Sequence, residues 1–155
     1  MRSPFFLRWL FVAHLCVFLV PSFAMAGDAP ADAVTAKDIV GSWWTPRNES
    51  RIEFFEKGGK YFGRIAWMLP AGENLLDNNN PDPSKRSQRR WGLVIFQNFK
   101  FDGEDEWVDG TVYNPDDGRT YSAKMSMARD AKNRLRVRGF FGISLLGRTE
   151  VFVRQ

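Results

Sequence analysis

The feature that most constrains the fold of this chain is an alternation of apolar and polar residues on both sides of a tight turn. Residues 107–113 and 121–127 each alternate with a period of two, and the sequence NPDDG at 114–118 stands between them. Such alternation is typical of β-strands. Pro115 favours the φ angle of a turn, and Gly118 accepts a positive φ without steric cost. The stretch therefore predicts a β-hairpin.

The same pattern recurs and predicts about eight strands, at about 42–46, 51–56, 61–69, 91–101, 107–113, 121–127, 134–141 and 148–154. Because most of these segments are joined by turns of hairpin length, we predict an all-β fold with a single antiparallel up-and-down barrel. A β-sandwich is the alternative, with residues 70–90 as its crossover. Residues 35–40 predict one helical turn, with Thr35 as its cap and Asp38 three residues on.

The first 26 residues have the composition of a secretory signal peptide. Arg2 and Arg8 lie near the start of the chain, and an apolar run follows over residues 10–20. Ala24-Met25-Ala26 then supplies a small-residue cleavage site. The alternative is an uncleaved membrane anchor, although the apolar run is shorter than the ~20 residues that a spanning helix needs. We therefore expect a periplasmic or secreted protein without a stable membrane span after cleavage.

Cleavage after Ala26 removes the one His and the one Cys of the chain, His14 and Cys16. The exported protein then lacks the residues for a Cys–His or Ser–His–Asp mechanism, for a disulfide and for a zinc site of thiolates or imidazoles. A flexible leader is predicted over residues 27–37 and the barrel domain over residues 38–155. With two of the 22 basic residues and none of the 18 acidic residues removed, the net charge is +2, which does not indicate nucleic-acid binding.

Large aromatic side chains at many positions predict a barrel interior that is mostly filled. An eight-stranded barrel either fills with its own side chains or leaves room for one small ligand. Met125, Met127 and Gly139 mark where space is expected, because Met adapts its shape and Gly adds no bulk. The residues predicted to line a pocket are Trp43, Phe54, Tyr61, Trp67, Tyr121, Met125 and Gly139. A filled core and a core with a small apolar pocket both fit this pattern.

The connection over residues 70–90 carries a motif of Asp77, Asn80, Pro81, Asp82 and Arg86. Its carboxylate and amide oxygens suit Ca²⁺, but the EF-hand template needs an oxygen ligand where Pro81 stands and a glycine where Asp82 stands, so we predict no metal site. We expect the Asp and Asn side chains to bond the loop's own backbone and to fix it over the barrel mouth. For Arg86, Arg89 and Arg90, contacts with these carboxylates, with an anionic ligand or with water all remain open.

Other groups receive mainly structural interpretations. Arg134, Arg136 and Arg138 alternate along one strand and are predicted to face solvent on the outer wall, where they oppose edge pairing. A glycosidase-like mechanism needs one carboxyl in an apolar pocket, and Asp109 and Glu56, flanked by aromatics, are its candidates. The apolar tip over residues 142–146 is predicted to cover one barrel end or to contact a partner or a membrane.

Three ordered motifs carry a family resemblance. They are Asp77-x-x-Asn80-Pro81-Asp82-Pro83 with Arg86 and Gly92-Leu93, Trp107-x-x-Gly110-x-x-Tyr113-x-Pro115-x-x-Gly118-x-x-Tyr121, and Leu135-x-Val137-Arg138-Gly139 with Leu146-Gly147-Arg148-Thr149 and Arg154. Over residues 38–155 the chain resembles a bacterial family of small exported proteins, a domain of unknown function with a lipocalin-like (calycin-like) β-barrel. The resemblance implies a barrel and a periplasmic or secreted location, and it brings no established activity.

Gly41-Ser42-Trp43 is also similar to the Gly-x-Trp signature at the start of lipocalins. In that group a basic residue near the end of the chain stacks on the Trp and closes the base of the barrel. Arg148 and Arg154 are the candidates for this role.

These observations lead to three functional interpretations. The first is a non-enzymatic envelope protein that holds a small apolar or amphipathic molecule inside the barrel, with no cofactor. The second is a protein-interaction or scaffold module with a filled barrel, which recognises an envelope protein through residues 70–90 and the tip at 143–146. The third is a hydrolase that uses a carboxylate.

Overall fold

The computed structural model describes residues 33–69, 74–143 and 146–155. In these ranges eight strands lie in sequence order around a closed antiparallel barrel, and the last strand pairs with the first. They are β1 (Gly41–Trp44), β2 (Ser50–Lys57), β3 (Lys60–Met68), β4 (Val94–Phe101), β5 (Glu106–Asn114), β6 (Arg119–Met127), β7 (Arg134–Phe140) and β8 (Arg148–Arg154). The predicted up-and-down barrel is confirmed. The sandwich alternative is wrong, because each strand pairs with its neighbours in sequence.

Helical structure in the described ranges includes 3₁₀ turns at Ala36–Ile39, Pro46–Asn48, Pro83–Lys85 and Arg129–Ala131. None of these described turns has the length or apolar character needed to cross a bilayer. The first is the turn predicted after Thr35, whose N–H donates to Asp38 Oδ2 at 2.8 Å. The predicted signal peptide lies outside the described residues, as do residues 27–32 of the predicted leader.

Because consecutive strands run in opposite directions, their connections alternate between the two ends of the barrel. The β1–β2, β3–β4, β5–β6 and β7–β8 connections gather at one end, which we call the mouth. The opposite end, the base, holds the remaining connections and both ends of the described chain. The predicted turn joins β5 to β6 at the mouth, where the Gly118 N–H donates to the Asn114 carbonyl at 2.9 Å.

Apolar side chains fill the base half of the interior. The fully buried ones include Ile39, Trp43, Phe54, Phe99, Trp107, Met125, Met127 and Leu135. The ring of Phe99 lies directly on Gly110, where an added Cβ would come within 2.3 Å of it. This close approach explains a glycine in the middle of a strand. Each large apolar side chain buried here contributes about 1.5–3 kcal/mol, so the base half supplies much of the stability of the barrel.

Residues 33–40 close the base. Val34 is buried in the core, and the indole N–H groups of Trp43 and Trp107 donate to backbone carbonyls of this segment at 2.8 and 3.3 Å. The sequence predicts a flexible leader over residues 27–37. Its described part, from residue 33 onwards, is instead packed, because its apolar side chains complete the core that the strands leave open.

Arg154 completes this closure. Its guanidinium carbon lies 4.2 Å from the centroid of the Trp43 ring, a distance at which a cation–π contact is favourable. It also donates to the backbone carbonyls of Asp38 and Val40. Arg148 begins the same strand at the mouth, where its side chain is 87% exposed. Of the two candidates for closing the base, Arg154 is therefore the one in position.

Irregularities in three strands move side chains between the inner and outer faces. In β3 the pairing with β2 skips Ala66, so Trp67 pairs with Arg51 and joins Trp44 on the outer wall, with ring centroids 5.2 Å apart. An extra residue of this kind turns the residues that follow it to the opposite face. Trp67, which the alternation places in the interior, is therefore on the outside. Asn98 and Asp109, with φ of 65° and 60°, mark similar irregularities in β4 and β5.

Candidate functional site

The mouth half of the interior is a cavity of about 880 Å³ that opens at the mouth. Apolar side chains and one glycine form its wall: Ile52, Ile65, Ile95, Phe96, Val112, Val137, Gly139 and Phe152. Its rim holds most of the polar lining, together with Phe141 and Leu146. Sites for small molecules are usually clefts of about 300–1,000 Å³ with apolar walls and few polar groups. The cavity has this form.

Side-chain size explains why the space lies at the mouth. The inner positions near the base carry Trp, Met and Phe, whereas those near the mouth carry mostly Ile, Val and Gly. A Cβ added at Gly139 would meet Val112 Cγ1 at 3.7 Å and nothing nearer. This is an ordinary van der Waals distance, and Gly139 itself borders the cavity. Met125 and Met127, the other residues expected to mark space, are fully buried in the base.

Phe96 forms the floor between the cavity and the filled base. Its ring centroid lies 5.0 Å from that of Phe54, 6.2 Å from Phe99 and 6.1 Å from Phe152. Tilted and edge-on pairs at such distances are favourable arrangements of aromatic rings. Because Phe54 lies beneath this floor, it supports the cavity without lining it.

Charged side chains at the rim form pairs of opposite sign. The pairs are Arg47–Glu49 at 3.0 Å, Arg90–Asp116 at 2.5 Å and Arg148–Glu150 at 3.2 Å. Asp117 accepts a hydrogen bond from the Tyr121 hydroxyl at 2.6 Å, and this bond raises the pKa of Tyr121. Burying a charged ligand group without a free partner is costly. A rim whose arginines are already paired with carboxylates, above an apolar wall, therefore suits an uncharged or amphipathic molecule.

The β3–β4 connection docks on the β5–β6 turn beside the mouth. Asn79 Nδ2 donates to the Asp116 carbonyl at 2.8 Å, and Arg90 Nη2 donates to the Pro115 carbonyl at 2.9 Å. A Cβ added at Gly118 would lie 1.9 Å from the Asn79 carbonyl oxygen, so the two segments are in direct contact. Of the described residues of this connection up to position 90, Arg90 alone borders the cavity. Instead of covering the mouth as expected, the described part of the loop supports the rim from the side.

Asp77 is fully buried within this connection. Its Oδ1 accepts from the Tyr113 hydroxyl at 2.7 Å, and its Oδ2 accepts from Asn80 Nδ2 at 2.6 Å. A buried carboxylate needs such donors to offset its loss of water. Burial, reinforced by the hydrogen bond and the charge of Asp77, raises the pKa of Tyr113 to about 12. Tyr113 therefore stays protonated near neutral pH and ties the loop to a residue that borders the cavity.

The rest of the loop motif bonds backbone groups of the same loop. Asn80 Oδ1 accepts from the Asp82 N–H at 2.9 Å, and Arg86 Nε donates to the Asn80 carbonyl at 2.8 Å. Hydrogen bonds from the Ser84 hydroxyl and N–H lower the pKa of Asp82. Pro81 is exposed. Within the described ranges, no group of three or more His, Cys, Asp or Glu side chains is arranged to hold a metal ion.

The residues predicted to line a pocket lie in four different places. Tyr121 and Gly139 border the cavity. Trp43, Tyr61 and Met125 are buried in the base, Phe54 lies under the floor, and Trp67 is on the outer wall. The alternation could not separate these groups, because it gives the face of a side chain and not its height in the barrel.

Most of the cavity wall is formed by residues that the sequence did not single out. Ile52, Ile65, Phe96 and Val112 are inward side chains near the mouth ends of their strands, Val137 lies in the middle of β7, and Phe152 lies two residues from the base end of β8. Strand direction was the available signal, since it ranks inward residues by their distance from each end. Combined with side-chain size, it indicates smaller inward side chains towards the mouth, but the relative heights of residues on different strands still depend on the strand registers.

Both candidates for a catalytic carboxyl lie outside the cavity. Asp109 is exposed on the outer wall, 3.4 Å from Lys100 Nζ. Glu56 is exposed near the base end of β2. The hydrolase interpretation needs a carboxyl in an apolar pocket, and neither residue occupies one.

Comparisons with known proteins agree with this fold. A family model described as "Uncharacterized protein conserved in bacteria (DUF2147)" matches residues 41–154. A solved structure described as protein HP1028 from the human pathogen Helicobacter pylori, a member of the lipocalin family, is 23% identical and has a TM-score of 0.68, covering 76% of this chain and 82% of that chain. At this identity the likeness shows a shared lipocalin-like fold alone. No curated protein matches the chain.

Proposed function

This chain belongs to the bacterial family DUF2147, as its motifs predict, and from that premise we propose that it binds a small apolar or amphipathic molecule in the cavity of its barrel. The open cavity of about 880 Å³ is the observation that carries the proposal. Its apolar wall removes the body of such a molecule from water, which is favourable in proportion to the apolar area buried. The polar rim leaves the other end of the molecule near solvent.

The role is binding, without a chemical step. The carboxylates at the rim already accept hydrogen bonds or form ion pairs, and Tyr113 and Tyr121 donate their hydroxyl protons to Asp77 and Asp117. The hydroxyl oxygens of both tyrosines can still accept a hydrogen bond from a polar group of the ligand. This arrangement orients a ligand at the rim. The scaffold interpretation assumed instead a barrel filled along its whole length, with no room for a ligand.

Export fits the same role. The signal-peptide pattern in residues 1–26 supports delivery to the periplasm or secretion. A molecule with a large apolar surface needs a carrier in either aqueous compartment. The N-terminal sequence of protein isolated from the periplasm or the medium is expected to begin at Gly27. A retained residue 1–26 segment in the isolated protein would contradict export by cleavage.

The binding test begins with the purified protein. An organic extract is expected to contain an apolar or amphipathic molecule in roughly equimolar amount, identified by mass spectrometry. The extracted protein is then expected to enhance the fluorescence of an apolar dye with saturation at one site. An extract without a bound molecule, combined with no change in dye fluorescence, would contradict the proposal and favour the scaffold interpretation.

A matched pair of variants locates the site. Gly139→Phe adds a ring at a position that borders the cavity and is expected to weaken dye binding at least tenfold, because the ring occupies the volume that the ligand needs. Val151→Phe adds a ring to an exposed position on the outer wall and is expected to leave dye binding unchanged. Equal dye affinity in both variants would place the dye outside the cavity.

A further inference from the structure

The floor of the cavity is held in place from below. The ring of Phe96 packs on those of Phe54 and Phe99, with centroids 5.0 and 6.2 Å away. A Cβ added at Gly63 would come within 2.8 Å of the Phe54 ring. One added at Gly110 would come within 2.3 Å of the Phe99 ring. Because protein interiors are close-packed, rings that already lie against the backbone have little room to yield to a ligand. The cavity therefore has a fixed lower limit.

The cavity is shallow. On β8 the residues that border it extend from Arg148 at the mouth to Phe152 beside the floor. With about 3.3 Å per residue and a strand tilt of about 40°, these four residue steps span about 10 Å along the barrel axis. A membrane acyl chain spans about half of a hydrocarbon core that is ~30 Å thick, or about 15 Å. Such a chain therefore cannot extend to its full length below the rim.

The cavity is also broad. Its volume of about 880 Å³, divided by a depth of about 10 Å, corresponds to a cross-section of about 90 Å². Because carbon atoms pack about 4 Å apart, one extended chain fills only about 20 Å² of this area. A molecule with rings or branches fills the cross-section more completely, so fewer atoms of the wall are left without a contact.

We propose that Phe96 sets the length of the ligand, and that the cavity takes a short, broad apolar molecule with rings or branches in preference to a long straight chain. This inference rests on the proposed function, because it concerns a ligand of the same cavity. The ring of Phe96 contacts the inner end of the ligand, whereas the wall contacts its sides. Phe96 is therefore a residue that determines specificity.

Displacement of a bound dye by alkyl maltosides, each kept below its critical micelle concentration, tests the depth. The uncharged maltose group stays at the polar rim while the alkyl tail enters the cavity. From the hexyl to the decyl compound, affinity is expected to rise about fourfold for each added methylene that is buried. From the dodecyl to the hexadecyl compound this gain is expected to be lost, because the added methylenes lie outside the cavity. A steady rise up to the hexadecyl compound overturns the proposal.

Two competitors with the same number of carbons in their tails test the breadth. Undecyl maltoside has a straight tail, whereas cyclohexylpentyl maltoside has a shorter tail that ends in a ring. The cyclohexylpentyl compound is expected to bind at least about threefold more tightly, because its ring contacts more of the wall. Equal or tighter binding of the undecyl compound overturns the preference for a broad ligand.

Substitutions at the floor and in the wall separate depth from volume. Phe96→Ala removes the ring that closes the cavity from below, so the limiting chain length is expected to increase. Val137→Ala is the matched control, because it removes atoms from the wall and is expected to leave the limiting chain length unchanged. An unchanged limit in Phe96→Ala, or an equal increase in Val137→Ala, overturns the role of Phe96.

Phe96→Leu is the second floor variant, because it removes less buried volume and so perturbs folding less. It is expected to change the limiting chain length in the same direction as Phe96→Ala. Fluorescence of the buried Trp43 and Trp107 like that of the wild-type protein shows that a variant is folded. An unchanged limit in a folded Phe96→Leu variant also overturns the role of Phe96.

The dye titration distinguishes failure of this inference from failure of the proposed function. If the wild-type protein binds the dye but shows no limit in chain length, or if no maltoside displaces the dye, the inference alone fails. If neither the dye nor any maltoside binds, the proposed function fails and the inference fails with it.

Discussion

Gly118 meets two separate demands at the mouth of the barrel. Its φ of +71° is a conformation that side chains disfavour, and the Asn79 carbonyl oxygen lies where a Cβ would stand. The first demand belongs to the turn between β5 and β6, and the second to the docking of the β3–β4 connection on that turn. Because the side chain of Gly118 is a single hydrogen atom, the loop can approach the turn closely enough to support the rim.

Gly118→Ala is expected to destabilise the protein by about 2–4 kcal/mol, because the strain of a positive φ is about 1–2 kcal/mol and the clash with Asn79 adds to it. Gly103→Ala is the matched control, since Gly103 has a φ of +95° and nothing within 4 Å of an added Cβ. Urea unfolding gives both values. Hydrogen exchange over residues 75–90 is expected to rise in Gly118→Ala alone. Equal exchange in the two variants would show that the turn does not hold the loop.

Single residues also show where the sequence leaves a choice open. Arg148 and Arg154 are six positions apart, so both lie on the same face of an ideal strand. Nothing local distinguishes them as partners of Trp43. The pairing of β8 with β1, which sets Arg154 opposite Trp43, decides between them. The register between the first and last strands is a property of the closed barrel, so the local alternation of residues cannot predict it.

At the scale of whole strands, the alternation predicted the positions of the strands well and the inward or outward direction of their side chains less well. The hairpin of β5 and β6 has its predicted turn, and the other strands fall within a few residues of their predicted ranges. The inward and outward assignment fails after Ala66 because an extra residue reverses the phase of the alternation. Asn98 and Asp109 offered a usable signal, since Asn and Asp tolerate positive φ better than most residues. Ala66 offered none.

The closure of β8 on β1 is expected to depend on Arg154. Arg154→Met removes the cation–π contact with Trp43 and the hydrogen bonds to the carbonyls of Asp38 and Val40, at a cost of about 1.5–3 kcal/mol in the free energy of unfolding. Arg148→Met, on the same strand and highly exposed, is expected to change it by less than about 0.5 kcal/mol. Urea unfolding followed by tryptophan fluorescence measures both. Similar costs for the two variants would contradict closure by Arg154.

At the scale of the whole molecule, the barrel divides into a filled base and a hollow mouth separated by Phe96. Composition predicted many aromatic rings but could not say whether they fill the barrel evenly. The rings concentrate at the base, where Trp43, Phe99 and Trp107 are fully buried, and this leaves the mouth open. To predict how the rings are distributed along the barrel axis, the height of each residue in the barrel must be known. These heights follow only once all strand registers are fixed.

Leu135 and Val137 test this division, because they are inward neighbours on β7 on opposite sides of it. Leu135 is fully buried in the base, so Leu135→Ala is expected to cost about 2–5 kcal/mol through lost burial and a new void. Val137 already borders the cavity, so Val137→Ala loses transfer free energy without enclosing a void, at about 1–1.5 kcal/mol. Urea unfolding measures both costs.

The two substitutions are expected to affect dye affinity in the opposite order to stability. Val137→Ala enlarges the cavity and changes the affinity, whereas Leu135→Ala leaves it within about twofold, because Leu135 does not border the cavity. Stability and binding would then be carried by separate layers of one barrel, so the wall at the mouth can vary with the ligand while the base keeps the fold. If Val137→Ala instead destabilised the protein as much as Leu135→Ala and left the dye unaffected, the mouth half would be as tightly packed as the base, and no ligand could lie there.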